Sequence, residues 1–152
     1  MNTGTESSYA GCPTVYRTAN AQSSPNALFF NTRSIPGSAY ADQYAILPLV
    51  NDSLYPLNQL QLEFEVRKFS NNYDHFTLYV GVMTNMVDAS SFMALDTFVV
   101  YSDSYTLKTV SFGQYTGSGY VVMMAPKEAG VVRNGGFVDN LVLGLIPSCP
   151  RP

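Results

Sequence analysis

Charge is what this sequence has least of. Asp, Glu, Lys and Arg make up 12% of its 152 residues, about half the share usual in a soluble domain, and no run of like charge exceeds the pair Arg67-Lys68. Eight Lys and Arg stand against eleven Asp and Glu, a net charge of −3. That leaves no basic face of the kind a nucleic-acid partner requires. Tryptophan is absent, and histidine occurs once, as His75. A lone histidine at a polar turn makes neither a metal site nor a catalytic triad. No Gly-x-Ser-x-Gly elbow occurs. The two cysteines, Cys12 and Cys149, lie 137 positions apart, with no metal-ligand spacing. No apolar run reaches the ~18 residues of a membrane span, and MNTGTESSYAG lacks the basic start and apolar core of a signal peptide. Helix signals are as scarce: residues 87–98, VDASSFMALDTF, offer an Asp88 cap and at most one turn of helix.

Strand signals are plentiful. Eleven Tyr and nine Phe favour extended structure, and Ser, Thr, Asn and Gln fill the polar positions, a composition associated with extracellular β-domains. Residues 60–69 place Leu60, Leu62, Phe64 and Val66 on one face and Gln61, Glu63, Glu65 and Arg67 on the other, the pattern of a half-buried antiparallel strand. Residues 75–84 alternate in the same way, and with the polar turn 70–74 between them the two read as a hairpin. Further strands are expected at 26–31, 44–50, 97–102, 105–112, 119–126 and 136–146. Eight or more short strands with hardly any helix predict an all-β chain, a two-sheet antiparallel sandwich. The length favours a jelly roll over an immunoglobulin-like domain, which would also lean on an inner Cys…Trp…Cys pattern that is missing. Within 136–146, alternation puts Phe137, Asp139, Leu141, Leu143 and Leu145 on one face and Val138, Asn140, Val142 and Ile146 on the other. Both faces are largely apolar, which marks a central strand whose Asp139 and Asn140 need hydrogen bonds or an ion.

Few residues point to chemistry. Glu63-x-Glu65 tests as a glycosidase carboxylate pair, but the third acid and the Trp-lined cleft are missing, and Arg67 on the same face makes a solvated charge ladder the plainer reading. The chain is therefore read as a non-enzyme. Tyrosines at loops and strand edges, among them Tyr73, Tyr101, Tyr105, Tyr115 and Tyr120, supply flat amphipathic faces for a sugar ring or a protein. The candidate ligand residues are Tyr73, Asp74, His75 and Tyr115. Structural calcium would draw on separate loops, with Asp42, Asn51, Asp52, Asp88 and Asp139 as the oxygen donors available. Turn or cap duty is the ordinary role of each. Cys12 and Cys149 pair or stay as two buried thiols; a disulfide closing that loop would stabilise by about 4–5 kcal/mol in the chain-entropy model. The ending PSCPRP has linker chemistry, so the expectation is one domain over residues 1–147 and the start of a linker over 148–152, within a longer secreted chain.

Read in order, SPNALFF, YAILPLV, LNQLQLEFEVRK, VGVMTNMVDASSFMALDTF, TVSFGQYTGSGYVVM and FVDNLVLGLIPSCPRP resemble a MAM-like jelly-roll domain. More narrowly, the chain is similar to the cleaved-adhesin and choice-of-anchor J group of bacterial surface proteins, over roughly residues 24–149. The resemblance implies a concanavalin A-like sandwich acting as a non-catalytic module on the cell surface or secreted. It also implies adhesion or carbohydrate binding, with a glycan or a host surface protein as partner beside neighbouring domains of the parent chain, and structural calcium in some members; the alternative is a structural spacer or protein-protein interaction domain without a small ligand. In such families SCPRP opens a linker to a fibronectin type III-like domain. This chain lacks the usual opening Phe-Glu or Phe-Asp and the Trp that follows, so Asp139 is the one acid matching the family's metal site.

Overall fold

The structure is a computed structural model and describes residues 14–17 as backbone, together with 21–23, 26–32, 41–49, 54–127 and 134–148. Its strands are β1 (Thr14–Arg17), β2 (Asn26–Asn31), β3 (Gln43–Ile46), β4 (Leu60–Lys68), β5 (Phe76–Met83), β6 (Phe92–Val100), β7 (Thr106–Ser111), β8 (Tyr120–Ala125) and β9 (Gly135–Leu145). They form two antiparallel sheets, one ordered β1-β2-β9-β4-β7 and the other β3-β8-β5-β6. This is the two-sheet jelly-roll sandwich that the strand pattern predicts.

The core is made where alternation puts it. Leu60, Leu62, Phe64 and Val66 of β4 face Phe76, Leu78, Val80 and Val82 of β5 across the gap, joined by Phe30, Val110, Val121, Met123 and Val138. Removing such side chains from water contributes about 1.5–3 kcal/mol each, before entropy is counted. Buried polar groups are paired. Gln43, on β3, accepts the Asn31 N–H (2.8 Å) and donates to the Asn31 carbonyl (3.0 Å), so one amide bridges the two sheets. Asn134 accepts from the Thr77 N–H (2.9 Å) and donates to the Pro126 carbonyl (3.0 Å).

Four sequence expectations are corrected. Residues 60–69 and 75–84 are not a hairpin: β4 pairs with β7 and β9, whereas β5 pairs with β6 and β8. The chain crosses between sheets at residues 69–75, and alternation cannot detect this because both strands offer their apolar side to the same core. The 87–98 stretch holds a single 3₁₀ turn, Ala89–Ser91, capped by Asp88. After it β6 begins at Phe92, not at 97. An additional strand, β1, adds to β2 at Thr14–Arg17.

The fourth correction concerns β9. It is central, between β2 and β4, but its alternation breaks. Glu65 lies opposite Asp139 and Glu63 opposite Val142, so β9 carries one extra residue here. Asn140 takes φ 51 at this bulge, a left-handed conformation that Asn tolerates better than most residues. Val142 and Gly144 thereby exchange faces with Leu143 and Leu145 relative to strict alternation.

A second bulge lies between Val80 and Gly81, where β6 inserts an extra residue. The Met93 carbonyl oxygen sits 2.0 Å from where a Gly81 Cβ would be, so only glycine fits. On this flank both edge strands put a charge at a core-side position: Lys108 of β7 lies opposite Phe64, and Asp96 of β6 opposite Val80. The Lys108 ammonium lies 5.8 Å from the centre of the Phe98 ring. Inward charges on edge strands oppose pairing with a stray chain.

Candidate functional site

The outer face of the five-stranded sheet collects the polar residues that the sequence singled out. The β9 bulge sets Asp139 directly across from Glu65. Asp139 is buried, at 7% exposure, and its carboxylate is fully engaged. Oδ2 accepts the Ser23 N–H (2.8 Å), and Oδ1 accepts the Ser23 hydroxyl (3.1 Å) and the Asn140 N–H (2.7 Å). Glu65 accepts from the Gln22 side chain (3.3 Å) and from the Asn140 side chain. Residues 22–23 are thus strapped over β9 and β4. Arg67 donates to the Lys68 and Phe69 carbonyls (3.1 and 3.0 Å), and its guanidinium lies 5.8 Å from the ring centres of Tyr105 and Phe137. Burial, reinforced by the Asp139 charge, pushes the Tyr105 phenol up to about 12. The Asp-Asn pair is therefore satisfied by hydrogen bonds.

The calcium candidates are scattered. Among the described residues no three of Asp, Glu, His and Cys come together as a cation site would require. Asp42 accepts the Lys127 N–H (2.8 Å). Asp88 accepts from the Ser90 N–H (3.0 Å) and hydroxyl (2.6 Å), which holds its carboxyl below the usual range. Asn51, Asp52, Cys12 and Cys149 lie outside the described residues.

The four candidate ligand residues are not brought together. Tyr73, Asp74 and His75 lie between β4 and β5, whereas Tyr115 lies between β7 and β8 at the opposite end of the sandwich. Tyr73 is buried at 4% exposure against Phe69 (ring centres 4.9 Å apart). Tyr115 is buried at 7%, with its hydroxyl donating to the Ser118 carbonyl (3.0 Å). Asp74 is exposed, and the half-buried His75 ring lies 6.2 Å from that of Tyr101.

The outer face of the four-stranded sheet is the feature that sequence reasoning missed. Cross-strand register aligns Tyr44, Met124, Tyr79 and Thr97 in one row. Ile46, Val122, Gly81 and Ala94 form the next, and Tyr120, Met83 and Phe92 the third. None of these residues is charged. Tyr44 and Phe92 belong to the two edge strands, whose backbones are about 14 Å apart at the usual strand spacing. Their rings nevertheless meet edge to face at 6.0 Å, so both lie inward across the sheet. Val122 beneath them is completely buried, and Met83 is 2% exposed. Tyr44, Tyr79 and Tyr120 remain half-buried at the surface. Burial and, secondarily, the Asp42 charge raise the Tyr44 pKa. The signal that could have exposed this face is the absence of charge from both faces of residues 76–83 and 120–125.

No protein-family model matches this sequence, and no curated protein matches it. Among solved structures the fold is similar to the K1 cleaved adhesin domain of Lys-gingipain (Kgp) from Porphyromonas gingivalis W83. The TM-score is 0.65 at 18% identity, over 89% of this chain and 83% of that one. The K3 cleaved adhesin domain of the same protein aligns at a TM-score of 0.59 and 18% identity, over 79% of this chain and 74% of that one. An arabinose-bound α-L-arabinofuranosidase, MgGH51, aligns at 0.55 and 15% identity, over 86% of this chain but only 21% of its own length. The chain thus has the fold of cleaved adhesin domains.

Proposed function

We propose that this chain is a non-catalytic adhesion module of a larger secreted or cell-surface protein, and that it binds neutral glycans on the outer face of its four-stranded sheet. The observation that carries the reading is the uncharged surface bearing Tyr44, Tyr79, Tyr120 and Phe92. Aromatic rings set on a rigid sheet offer flat apolar contact to the C–H faces of sugars, and tyrosine hydroxyls at the rim offer hydrogen bonds. The described residues of these rows include no Lys or Arg to attract sulfated or uronic sugars. The cleaved-adhesin likeness supports an adhesion role.

A protein partner is the second reading. Met83 and Met124 lie among the aromatic residues, and methionine and aromatic enrichment with few charges is also the composition of protein interface cores.

The test is a glycan array followed by affinity electrophoresis in neutral and acidic polysaccharides. Retardation by neutral polymers only, reduced roughly tenfold or more in Tyr79→Ala and Tyr120→Ala, is the expected result. Blanks across the array at high protein concentration would end the glycan reading and leave protein contact.

A further inference from the structure

Asn-Gly is the strongest short signal for a hairpin turn, and it occurs once in this chain, at Asn134-Gly135. Here the pair is not exposed. Asn134 is 0% exposed, and Gly135, also buried, is the first residue of β9. Both residue types are demanded by what surrounds them. A Cβ on Gly135 would stand 2.9 Å from Cε2 of the Tyr73 ring and 3.1 Å from the Phe30 carbonyl oxygen. The Asn134 side chain accepts the Thr77 N–H of β5 (2.9 Å) and donates to the carbonyl of Pro126, just past β8 (3.0 Å). Its backbone carbonyl accepts the N–H of Thr32, just past β2 (3.0 Å). One residue therefore ties the two sheets together. An amide supplies the acceptor and the donor at once, whereas a carboxylate only accepts.

The same dipeptide carries its own route to damage. Once the Gly135 nitrogen loses its proton it can attack Cγ of Asn134; the bond from Cγ to the side-chain nitrogen breaks, ammonia leaves, and a five-membered succinimide remains. Water then opens either carbonyl and leaves Asp or isoaspartate at 134. No oxidant or cofactor is required. Glycine favours the closure because no Cβ crowds the attacking residue and its backbone turns freely. In the folded molecule the attack is blocked. Cγ cannot swing toward Gly135 without giving up both bonds of its side chain. The backbone cannot turn to help, because the Thr32 N–H holds the Asn134 carbonyl and the Phe69 N–H holds the Gly135 carbonyl (3.0 Å each). Burial of both residues also keeps hydroxide and water from the reacting atoms.

We propose that Asn134-Gly135 is a deamidation site that the fold guards and unfolding opens, and that reaction there in the unfolded chain closes the way back to the native state. The products cannot resume the native contacts. An Asp carboxylate at 134 has no proton for the Pro126 carbonyl and would carry a charge into a fully buried position. Isoaspartate routes the main chain through the former side chain, which lengthens it by a methylene between the points held by Thr32 and Phe69. The Thr77 N–H loses its acceptor as well. The damage falls at the entry to β9, the strand that joins β2 to β4. Time spent unfolded is thus recorded irreversibly at one residue.

The test incubates the whole chain at mildly alkaline pH, native in one arm and in guanidinium chloride in the other, while peptide mapping follows residue 134. The native arm is expected to react there roughly a thousandfold or more slowly, because only its small unfolded fraction is open to attack. On dilution from denaturant, the fraction that regains the native circular dichroism spectrum should fall in step with the loss of Asn134. Gly135→Ala, followed in denaturant where its folding does not matter, should slow the reaction at 134 several-fold. Asn134→Asp reproduces one product directly and should lower the urea midpoint or prevent folding. Equal rates in the two arms would overturn the proposal, as would a Gly135→Ala chain that reacts as fast as wild type. So would a deamidated or Asn134→Asp chain that refolds to the wild-type midpoint.

Discussion

The two outer faces of this sandwich are built from the same alternating strands and end in opposite conditions. On the five-stranded sheet the outward positions hold Glu63, Glu65, Arg67 and Asp139, and their polar atoms are turned toward neighbours in the same molecule: Gln61, Gln22, Asn140, Ser23 and two carbonyls. On the four-stranded sheet the outward positions hold tyrosines, methionines and a phenylalanine, and the Tyr44 and Phe92 rings meet over the strands between them. The face that looks chemically capable in sequence is thus internally satisfied. The face that looks bland is the one on which the proposed function rests.

The comparison can be broken most severely at Gly81. Gly81→Val would drive a side chain into the Met93 carbonyl, separating β5 from β6. A loss of several kcal/mol, enough to prevent recovery of folded protein, is expected from expression yield and circular dichroism. Next is Asp139→Ala, which strips partners from the Ser23 N–H, the Ser23 hydroxyl and the Asn140 N–H. Urea denaturation should show a loss of about 2–4 kcal/mol. Equal stability to wild type would mean that the strap contributes nothing. Phe92→Ala should cost less, about 1–2 kcal/mol, by uncovering Val122 and removing the Tyr44 contact, and should also weaken any ligand held on that face.

The mildest test uses pH. Tyr105 has a folded-state pKa of about 12 against an ordinary 10.0, so the unfolded chain loses its proton first. Its contribution is fully present below pH 10 and is lost as pH rises toward about 12. Tyr105→Phe should flatten that part of the stability profile, and ultraviolet titration should lose a phenol that ionises at about 12.

Much of the fold was legible. Period-two patterning located β2, β4, β5, β7, β8 and β9 to within a residue or two, and it named the inward sets of β4 and β5. What it could not supply was partnership. Leu60 to Val66 and Phe76 to Val82 look identical whether paired in one sheet or facing across two. The bulge at Asn140 was hidden for a related reason: both sides of β9 are apolar, so an added residue disturbs no visible pattern.

The candidate site was the least legible part. Thr77, Tyr79, Gly81 and Met83 sit at solvent-side positions of a strand, and only the neighbouring strands show that Tyr120, Met124, Tyr44 and Phe92 join them. Tyr120 was picked out as an isolated tyrosine. Its setting depends on contacts with residues distant in the chain.

The position of β9 bears on when this molecule can exist as a folded object. The last of the described strands to be made is the middle of its sheet, wedged between β2, made more than a hundred residues earlier, and β4. Until Leu145 has emerged, β1 and β2 have no connection to β4 and β7 within that sheet, and the apolar sides of both halves stand open. Assembly of this sheet therefore waits until β9 has been made, and a chain stopped short of β9 would be a substrate for proteases and chaperones.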